Sequence, residues 1–175
     1  MANFYKKCKD GEKEKLNDYA TPHSAWDDIL KYVSKKDVIY EPFYLDGGSG
    51  RYICDEKGYK VIHTDCDFYT WYKTFEYDLI LSNPPFQDVK KILPYLFDVD
   101  KPFCLLMPSS KLHTQYLAKY FKQTERKLQI LVPRRRIHFE KYEDKKKVEN
   151  WKPQTCFDCY WYCYKMKLPK DIIFM

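Results

Sequence analysis

A short run of residues after an apolar stretch has the properties needed to bind a planar amine through hydrogen bonds and stacking. Residues 77–82 are typical of a buried strand and lead directly into Asn83-Pro84-Pro85-Phe86. The two prolines fix two φ angles and donate no N–H, so backbone carbonyls can face a ligand from a rigid turn. We predict that the Asn83 amide oxygen and the Pro84 carbonyl accept hydrogen bonds from an NH₂ group, and that the Phe86 ring stacks on it.

The segment 41–50 concentrates three of the chain's five glycines directly after another predicted strand. Glycine lets the backbone turn tightly and lets a ligand approach closely, so such a turn is a general feature of nucleotide-cofactor sites. The segment contains neither the Gly-Lys-Ser/Thr of a phosphate loop nor G-x-G-x-x-G. Taken alone, an ordinary tight turn explains it equally well.

Acidic residues follow the next predicted strand, about 20 residues after the glycines. A carboxylate at this position can accept hydrogen bonds from both ribose hydroxyls, and Asp65 has the best position for that role. Asp67 could accept a hydrogen bond from an adenine amine, with Phe68 packed on the ring. Solvated loop acids are the alternative interpretation.

These segments together resemble the S-adenosylmethionine-dependent amino-methyltransferases that act on adenine N6. The tetrapeptide Asn83, Pro84, Pro85 and Phe86 looks like their catalytic motif, which glutamine methyltransferases share in similar form. Glu41-Pro42-Phe43 with its glycines looks like their cofactor loop, and residues 17–22 are similar to the segment that packs over the methionine part of the cofactor. The resemblance and the spacing predict these cofactor-binding residues: Tyr19, Thr21, Glu41, Phe43, Asp46, Gly47, Gly48, Gly50, Asp65, Asp67, Phe68 and Asn83.

A basic cluster lies late in the chain, where three of the five arginines are adjacent. Lysines 145–147 follow, with aromatic residues nearby, and this mixture suits phosphate contacts and base stacking. A solvated charged surface is the alternative interpretation. The resemblance further implies that Phe139 packs on the target base. The predicted nucleic-acid-binding residues are Arg134, Arg135, Arg136, Phe139, Lys145 and Lys146.

The composition indicates one folded domain. The chain has 175 residues, 45% of them hydrophobic, and a net charge of +6, so it is neither disordered nor strongly basic. No apolar run approaches the roughly 20 residues that span a membrane, and no secretion signal is evident, so we expect an intracellular protein with reduced cysteines. We predict a polar arm at 1–18 and a single domain at 19–175, without a separate target-recognition domain.

Strands and helices alternate along the chain, which predicts an α/β fold with a mostly parallel sheet. The resemblance implies a Rossmann-like class I methyltransferase fold with helices on both faces. The stretch between Asp65 and Tyr77 is short for this family and indicates a reduced version. Cys156 and Cys159 fall on opposite faces of a predicted strand, so we predict no metal site. The predicted strands are 38–43, 59–63, 77–82, 102–107, 127–132 and 156–166; the predicted helices are 22–34, 49–56, 88–97 and 110–121; a loop is predicted at 140–152.

The function expected from these features is methyl transfer from S-adenosylmethionine to the N6 amine of adenine in nucleic acid, with DNA favoured. An RNA adenine, a protein glutamine, or a non-catalytic role as a nucleic-acid-binding subunit are the alternatives. No membrane association is expected. Because no target-recognition domain fits in the chain, we expect relaxed sequence specificity or a partner, either a specificity subunit or a second copy of the chain.

Overall fold

A computed structural model describes residues 18–122, 125–151 and 158–175. A seven-stranded sheet with helices on both faces stands beside a small three-stranded sheet. The strands are β1 (Asp18–Ala20), β2 (Val38–Tyr40), β3 (Lys60–Ile62), β4 (Leu79–Ser82), β5 (Phe103–Pro108), β6 (Leu128–Val132), β7 (Glu140–Glu143), β8 (Lys146–Lys147), β9 (Cys159–Tyr164) and β10 (Ile172–Phe174). The helices are α1 (His23–Leu30), α2 (Gly48–Arg51), α3 (Phe68–Trp71), α4 (Val89–Val99) and α5 (Gln115–Lys122), with a π-type turn at Tyr52–Glu56 and a 3₁₀ turn at Ser109–His113.

The large sheet has the order β3-β2-β4-β5-β9-β6-β10. All of its neighbouring strands are parallel except β9, which runs antiparallel to both β5 and β6. The predicted α/β, Rossmann-like architecture, with a mostly parallel sheet and helices on both faces, is confirmed. Within the described ranges no strand lies beyond β3, because the chain between β3 and β4 forms only the one-turn helix α3. The fold is therefore reduced at this edge.

Alternating side chains of the buried strands pack into two separate hydrophobic cores, one on each face of the sheet. Leu79 and Leu81 of β4 pack with α1 on one face, whereas Ile80 packs with α4 on the other. β5 alternates in the same way. This period of two, with both faces buried, explains why these strands are continuous apolar runs rather than amphipathic ones. The polar groups are consequently left to the strand ends.

The small sheet corrects the prediction of a loop at 140–152. β7 pairs with β8 across a two-residue turn in which Asp144 and Lys145 both have positive φ, 50° and 62°. β7 also pairs with β1, from the opposite end of the described chain. A turn of this kind usually carries glycine or asparagine, so Asp-Lys gave no local indication of a hairpin.

The first helix is shorter than predicted. α1 begins at His23 after Pro22 and ends at Leu30, and no side chain caps its N-terminus. The Oγ1 of Thr21, just before the helix, is buried and has no hydrogen-bond partner among the described residues. Residues 1–17 of the predicted arm and Cys156 of the cysteine pair lie outside the described residues. None of the described helices is long and apolar enough to cross a membrane.

Candidate active site

A cavity of about 740 Å³ lies where the carboxyl ends of β2, β4 and β5 meet the small sheet. Its size falls within the roughly 300–1,000 Å³ of typical small-molecule sites. Parallel strands bring their carboxyl ends to one edge, so the residues after β2 and β4 become neighbours there. Tyr19 and Ala20 of β1 and Glu140 and Tyr142 of β7 line the cavity as well. The pocket is thus bounded by both sheets.

Asn83 presents an unused acceptor at this cavity. Its Nδ2 donates to the backbone carbonyl of Tyr19 at 3.3 Å, and this bond defines which way the amide faces, since a carbonyl can only accept. The opposite atom, Oδ1, is buried and has no hydrogen-bond partner in the part of the chain that the structure describes. A buried polar atom normally forms a hydrogen bond in a folded protein. An unpaired acceptor on a residue that lines a cavity therefore indicates that a ligand group donates a hydrogen bond to it.

The turn after Asn83 holds a second acceptor and an aromatic ring. Asp88 N–H donates to the Pro85 carbonyl at 2.9 Å, while the Pro84 carbonyl accepts no hydrogen bond from any residue that the structure describes. Phe86 lines the cavity, and its ring meets the ring of Phe139 edge-on at 6.0 Å. Phe139 is only 7% exposed and does not line the cavity, so it supports Phe86 from behind.

Glu41 is a buried carboxylate that joins three strands of the sheet. It follows β2, lines the cavity and is 1% exposed. Ser82 Oγ at the end of β4 donates to its Oε1, and Ser49 Oγ donates to its Oε2 at 3.2 Å. His63, just after β3, lies 2.5 Å away through Nδ1. These donors stabilise a charged group that burial alone would disfavour.

Two further residues of the cavity lining carry a buried polar atom without a hydrogen-bond partner among the described residues. They are Thr21, through its hydroxyl, and Trp26, through its indole N–H. With Asn83 Oδ1 the wall therefore offers a hydroxyl, a donor and an acceptor, all unsatisfied. The arrangement suits a ligand that carries both charged and polar groups.

The cavity brings together most of the predicted catalytic and cofactor-loop residues. The predicted residues that line it are Tyr19, Thr21, Glu41, Phe43, Asp46, Gly48, Asn83, Pro84, Pro85 and Phe86. The predicted residues outside its lining are Gly47, Gly50, Asp65, Asp67, Phe68, Arg134, Arg135, Arg136, Phe139, Lys145 and Lys146. The geometry thus supports the predicted amine-binding role of the Asn83–Phe86 motif more directly than it supports the predicted ribose and adenine contacts of Asp65 and Asp67.

The acidic segment after β3 turns away from the cavity. Asp65 forms an exposed ion pair with Lys145 of the hairpin turn at 2.9 Å. Asp67 accepts a hydrogen bond from Thr70 at 2.7 Å at the start of α3. Phe68 is 2% exposed and packs on Phe43 at 5.4 Å between ring centres. The missing strand beyond β3 lets α3 follow at once, and this carries Phe68 into the core.

Comparison with known proteins finds solved structures with a similar fold. No protein-family model and no curated protein matches the chain. The fold is similar to the crystal structure of a dimethyladenosine transferase from Plasmodium falciparum, with a TM-score of 0.48 and 12% sequence identity. The alignment covers 82% of this chain and 62% of that one, so this chain spans less than two thirds of the neighbour. The site is therefore interpreted from its own geometry.

Several lining residues were not predicted from the sequence. Trp26 has the spacing of a core position on α1, and only the structure shows that it also lines the cavity. Tyr142 and Lys147 lie in the segment predicted to be a loop, and Lys147 pairs with Glu140 at 2.7 Å. Ser110 and Lys111 also line the cavity. Their position after β5, at the carboxyl edge of the sheet, is the only feature of the sequence that indicates a place in the site.

Proposed function

We propose that the protein is an S-adenosylmethionine-dependent methyltransferase that modifies the N6 amine of adenine in nucleic acid, with DNA the favoured acceptor. The observation that carries the proposal is the buried, unpaired Oδ1 of Asn83 at the cavity. Beside it lie the free carbonyl of Pro84 and the ring of Phe86. Two acceptors and one ring match a planar group that bears an NH₂.

The cavity residues also fit the proposed cofactor. S-Adenosylmethionine presents a carboxylate, an ammonium group, ribose hydroxyls and an adenine ring. The indole N–H of Trp26 and the hydroxyl of Thr21 are unpaired and can bind the carboxylate, and Glu41 is an acceptor for the ammonium group. When bound, the cofactor supplies a methyl group activated by a positively charged sulfur.

The role of the protein in the reaction is to hold and activate the amine. The lone pair of an adenine amine is delocalised into the ring, so the amine is a poor nucleophile. Asn83 Oδ1 and the Pro84 carbonyl draw its two N–H bonds out of the ring plane, which localises the lone pair on nitrogen. Both acceptors gain strength as positive charge develops there, so they stabilise the transition state more than the ground state.

An acceptor panel with a labelled methyl donor tests this function. Single-stranded DNA, duplex DNA, RNA and a glutamine-containing peptide are compared, and the modified nucleoside is identified by mass spectrometry. We expect N6-methyladenine, formed fastest on DNA. Faster reaction on RNA would overturn the DNA preference and keep the adenine assignment. Label on the peptide amide alone, or no label on any acceptor, would overturn the function.

The exposed arginines after β6 are the proposed contacts to the nucleic-acid backbone. β6 runs in the same direction as β5, because both are antiparallel to β9, so its carboxyl end lies at the same edge as Asn83. Arg134 and Arg135 are exposed there, and Arg136 pairs with Asp158 at 2.8 Å. The charge cluster and the cavity thus share one edge of the sheet.

Replacing both Arg134 and Arg135 with alanine is expected to weaken oligonucleotide binding. Each phosphate that the variant no longer neutralises should lower the slope of log affinity against log salt by roughly 1. Fluorescence anisotropy at several salt concentrations measures this slope. Lys127→Ala is the matched control, since it removes an exposed charge before β6, at the opposite edge of the sheet. An equal effect of the control would contradict a localised interface.

A further inference from the structure

His63 packs directly behind Glu41, outside the cavity wall. Its Nδ1 lies 2.5 Å from Oε2 of Glu41 and 2.8 Å from the backbone carbonyl of the same residue. The two side chains are only 7% and 2% exposed. Because both neighbours of Nδ1 are acceptors, Nδ1 carries a hydrogen in either charge state of the ring. The proton that His63 gains or loses therefore sits on Nε2, which is buried and has no partner within residues 18–122, 125–151 and 158–175.

The position of the imidazole ring is restricted from two sides. A Cβ atom added at Gly50 would lie 2.1 Å from Cδ2, 2.3 Å from Cγ and 2.6 Å from Cβ of His63. On another side the ring stacks on Tyr44, with 4.7 Å between ring centres. Gly50 thus makes room for His63, so the protein uses this glycine to place the histidine against Glu41.

We propose that His63 is a positioning residue that holds the Glu41 carboxylate toward the ammonium group of the cofactor, and that the proton on Nε2 and this ammonium compete for the same carboxylate. The inference rests on the proposed function, because it takes S-adenosylmethionine as the ligand. It goes further by assigning a site and a charge linkage to a residue that does not line the cavity.

The competition follows from how the carboxylate is shared. Ser82, Ser49 and His63 occupy three of the roughly four acceptor positions of the Glu41 carboxylate, and Glu41 itself lines the cavity. One acceptor position is thus left for a ligand. With His63 protonated, an arriving ammonium is a second cation on a single negative charge, and the two cations repel. With His63 neutral, the Nδ1–H still orients the carboxylate, and its charge is free for the ligand.

The surroundings of His63 set where this linkage operates. Burial lowers the pKa of His63, but hydrogen bonds and charge from Glu41 outweigh it, so its pKa lies above the ordinary 6.5; Arg51 opposes the rise. Tyr44 stacks on the ring, and Arg51 is itself paired with Asp46 at 3.9 Å. Asp65, two residues along, is paired with Lys145. Below its raised pKa the ring is charged, so cofactor affinity should rise with pH through that pKa.

Calorimetry tests the linkage with two stable ligands. S-Adenosylhomocysteine carries the ammonium group, whereas 5′-methylthioadenosine lacks it. Each is titrated into the wild-type protein and into His63→Gln, in buffers of different ionisation enthalpy and across pH. We expect the wild type to release part of a proton with S-adenosylhomocysteine, none with 5′-methylthioadenosine, and to bind the former several-fold more tightly as pH rises.

The variant provides the baseline for the ligand's own ionisation. Glutamine keeps an N–H donor for Glu41 but cannot titrate, so His63→Gln should bind both ligands without proton release and with a flat pH profile. His63→Asn replaces it should the glutamine variant fail to fold. Equal proton release in the wild type and the variant would overturn the linkage while leaving the cofactor assignment intact. If the wild type binds neither ligand, the cofactor assignment fails, and this inference fails with it.

Discussion

Replacing Asn83 with alanine is expected to reduce the rate of methyl transfer by about 10²–10³-fold, the usual loss when one hydrogen-bonding group that stabilises transition-state charge is removed. The affinity for S-adenosylhomocysteine should change only a few-fold. The reason is that Oδ1 is unpaired among the described residues, so the internal bond that the variant loses is the long one of 3.3 Å from Nδ2 to the Tyr19 carbonyl. Single-turnover rates with a DNA oligonucleotide and calorimetry with the cofactor product measure the two effects separately.

Gln87→Ala is the matched control for Asn83→Ala. Gln87 also carries an amide and lines the same cavity, but it lies beyond the Asn83–Phe86 motif. Its truncation should leave the rate within a few-fold of the wild type. A comparable loss of rate in both variants would mean that any amide on this wall supports the reaction. That result would contradict a specific hydrogen bond from the amine to Asn83.

Gly50→Ala is expected to destabilise the protein by about 1–3 kcal/mol, as overpacking of a well-filled interior does. The new methyl group would overlap the ring of His63, which has Glu41 and Tyr44 as its other neighbours. In a chain of this length such a loss should lower the melting temperature by several degrees, roughly 2–4 °C for each kcal/mol. Thermal unfolding followed by circular dichroism measures it.

A double-mutant cycle isolates the contact between Gly50 and His63. In a His63→Ala background the overlap with Cδ2 and Cγ disappears and only the 2.6 Å approach to Cβ remains, so Gly50→Ala should cost clearly less than in the wild type. Gly58→Ala is the control, because a Cβ there meets only Lys35 Nζ at 3.9 Å and its cost arises from a φ of +68°. That cost should be the same in both backgrounds. Equal costs of Gly50→Ala in both would contradict the steric account.

The parts of the protein that local sequence determines were predictable. β4 is an apolar run ended by two prolines, and β2 is ended by a glycine-rich turn, so both strand ends and their shared edge could be inferred. The placement of Asn83, Glu41 and Phe86 at one cavity follows from that edge. Such signals are local because prolines and glycines restrict or free the backbone at their own positions.

The parts that depend on long-range pairing were not predictable. β1 joins β7 across more than a hundred residues, and neither segment has a strand pattern of its own. The ribose contact of Asp65 was predicted from its spacing after the glycines and stays a prediction, whereas its ion pair with Lys145 depends on a hairpin about 80 residues away. The role of Gly50 was equally hidden, because its neighbour His63 comes from another strand.

The chain leaves the large sheet at the end of β6 and returns to it at β9, which is the hydrogen-bonded neighbour of β6. Between these points lie the three adjacent arginines, Phe139 and the β7–β8 hairpin. An excursion that starts and finishes at adjacent strands can change in length without shifting the register of the large sheet. The same excursion supplies Glu140, Tyr142 and Lys147 to the cavity wall, and its β7 holds β1 in place. Under the proposed function, a change in the segment that contacts the target would therefore also reshape the pocket that holds the amine.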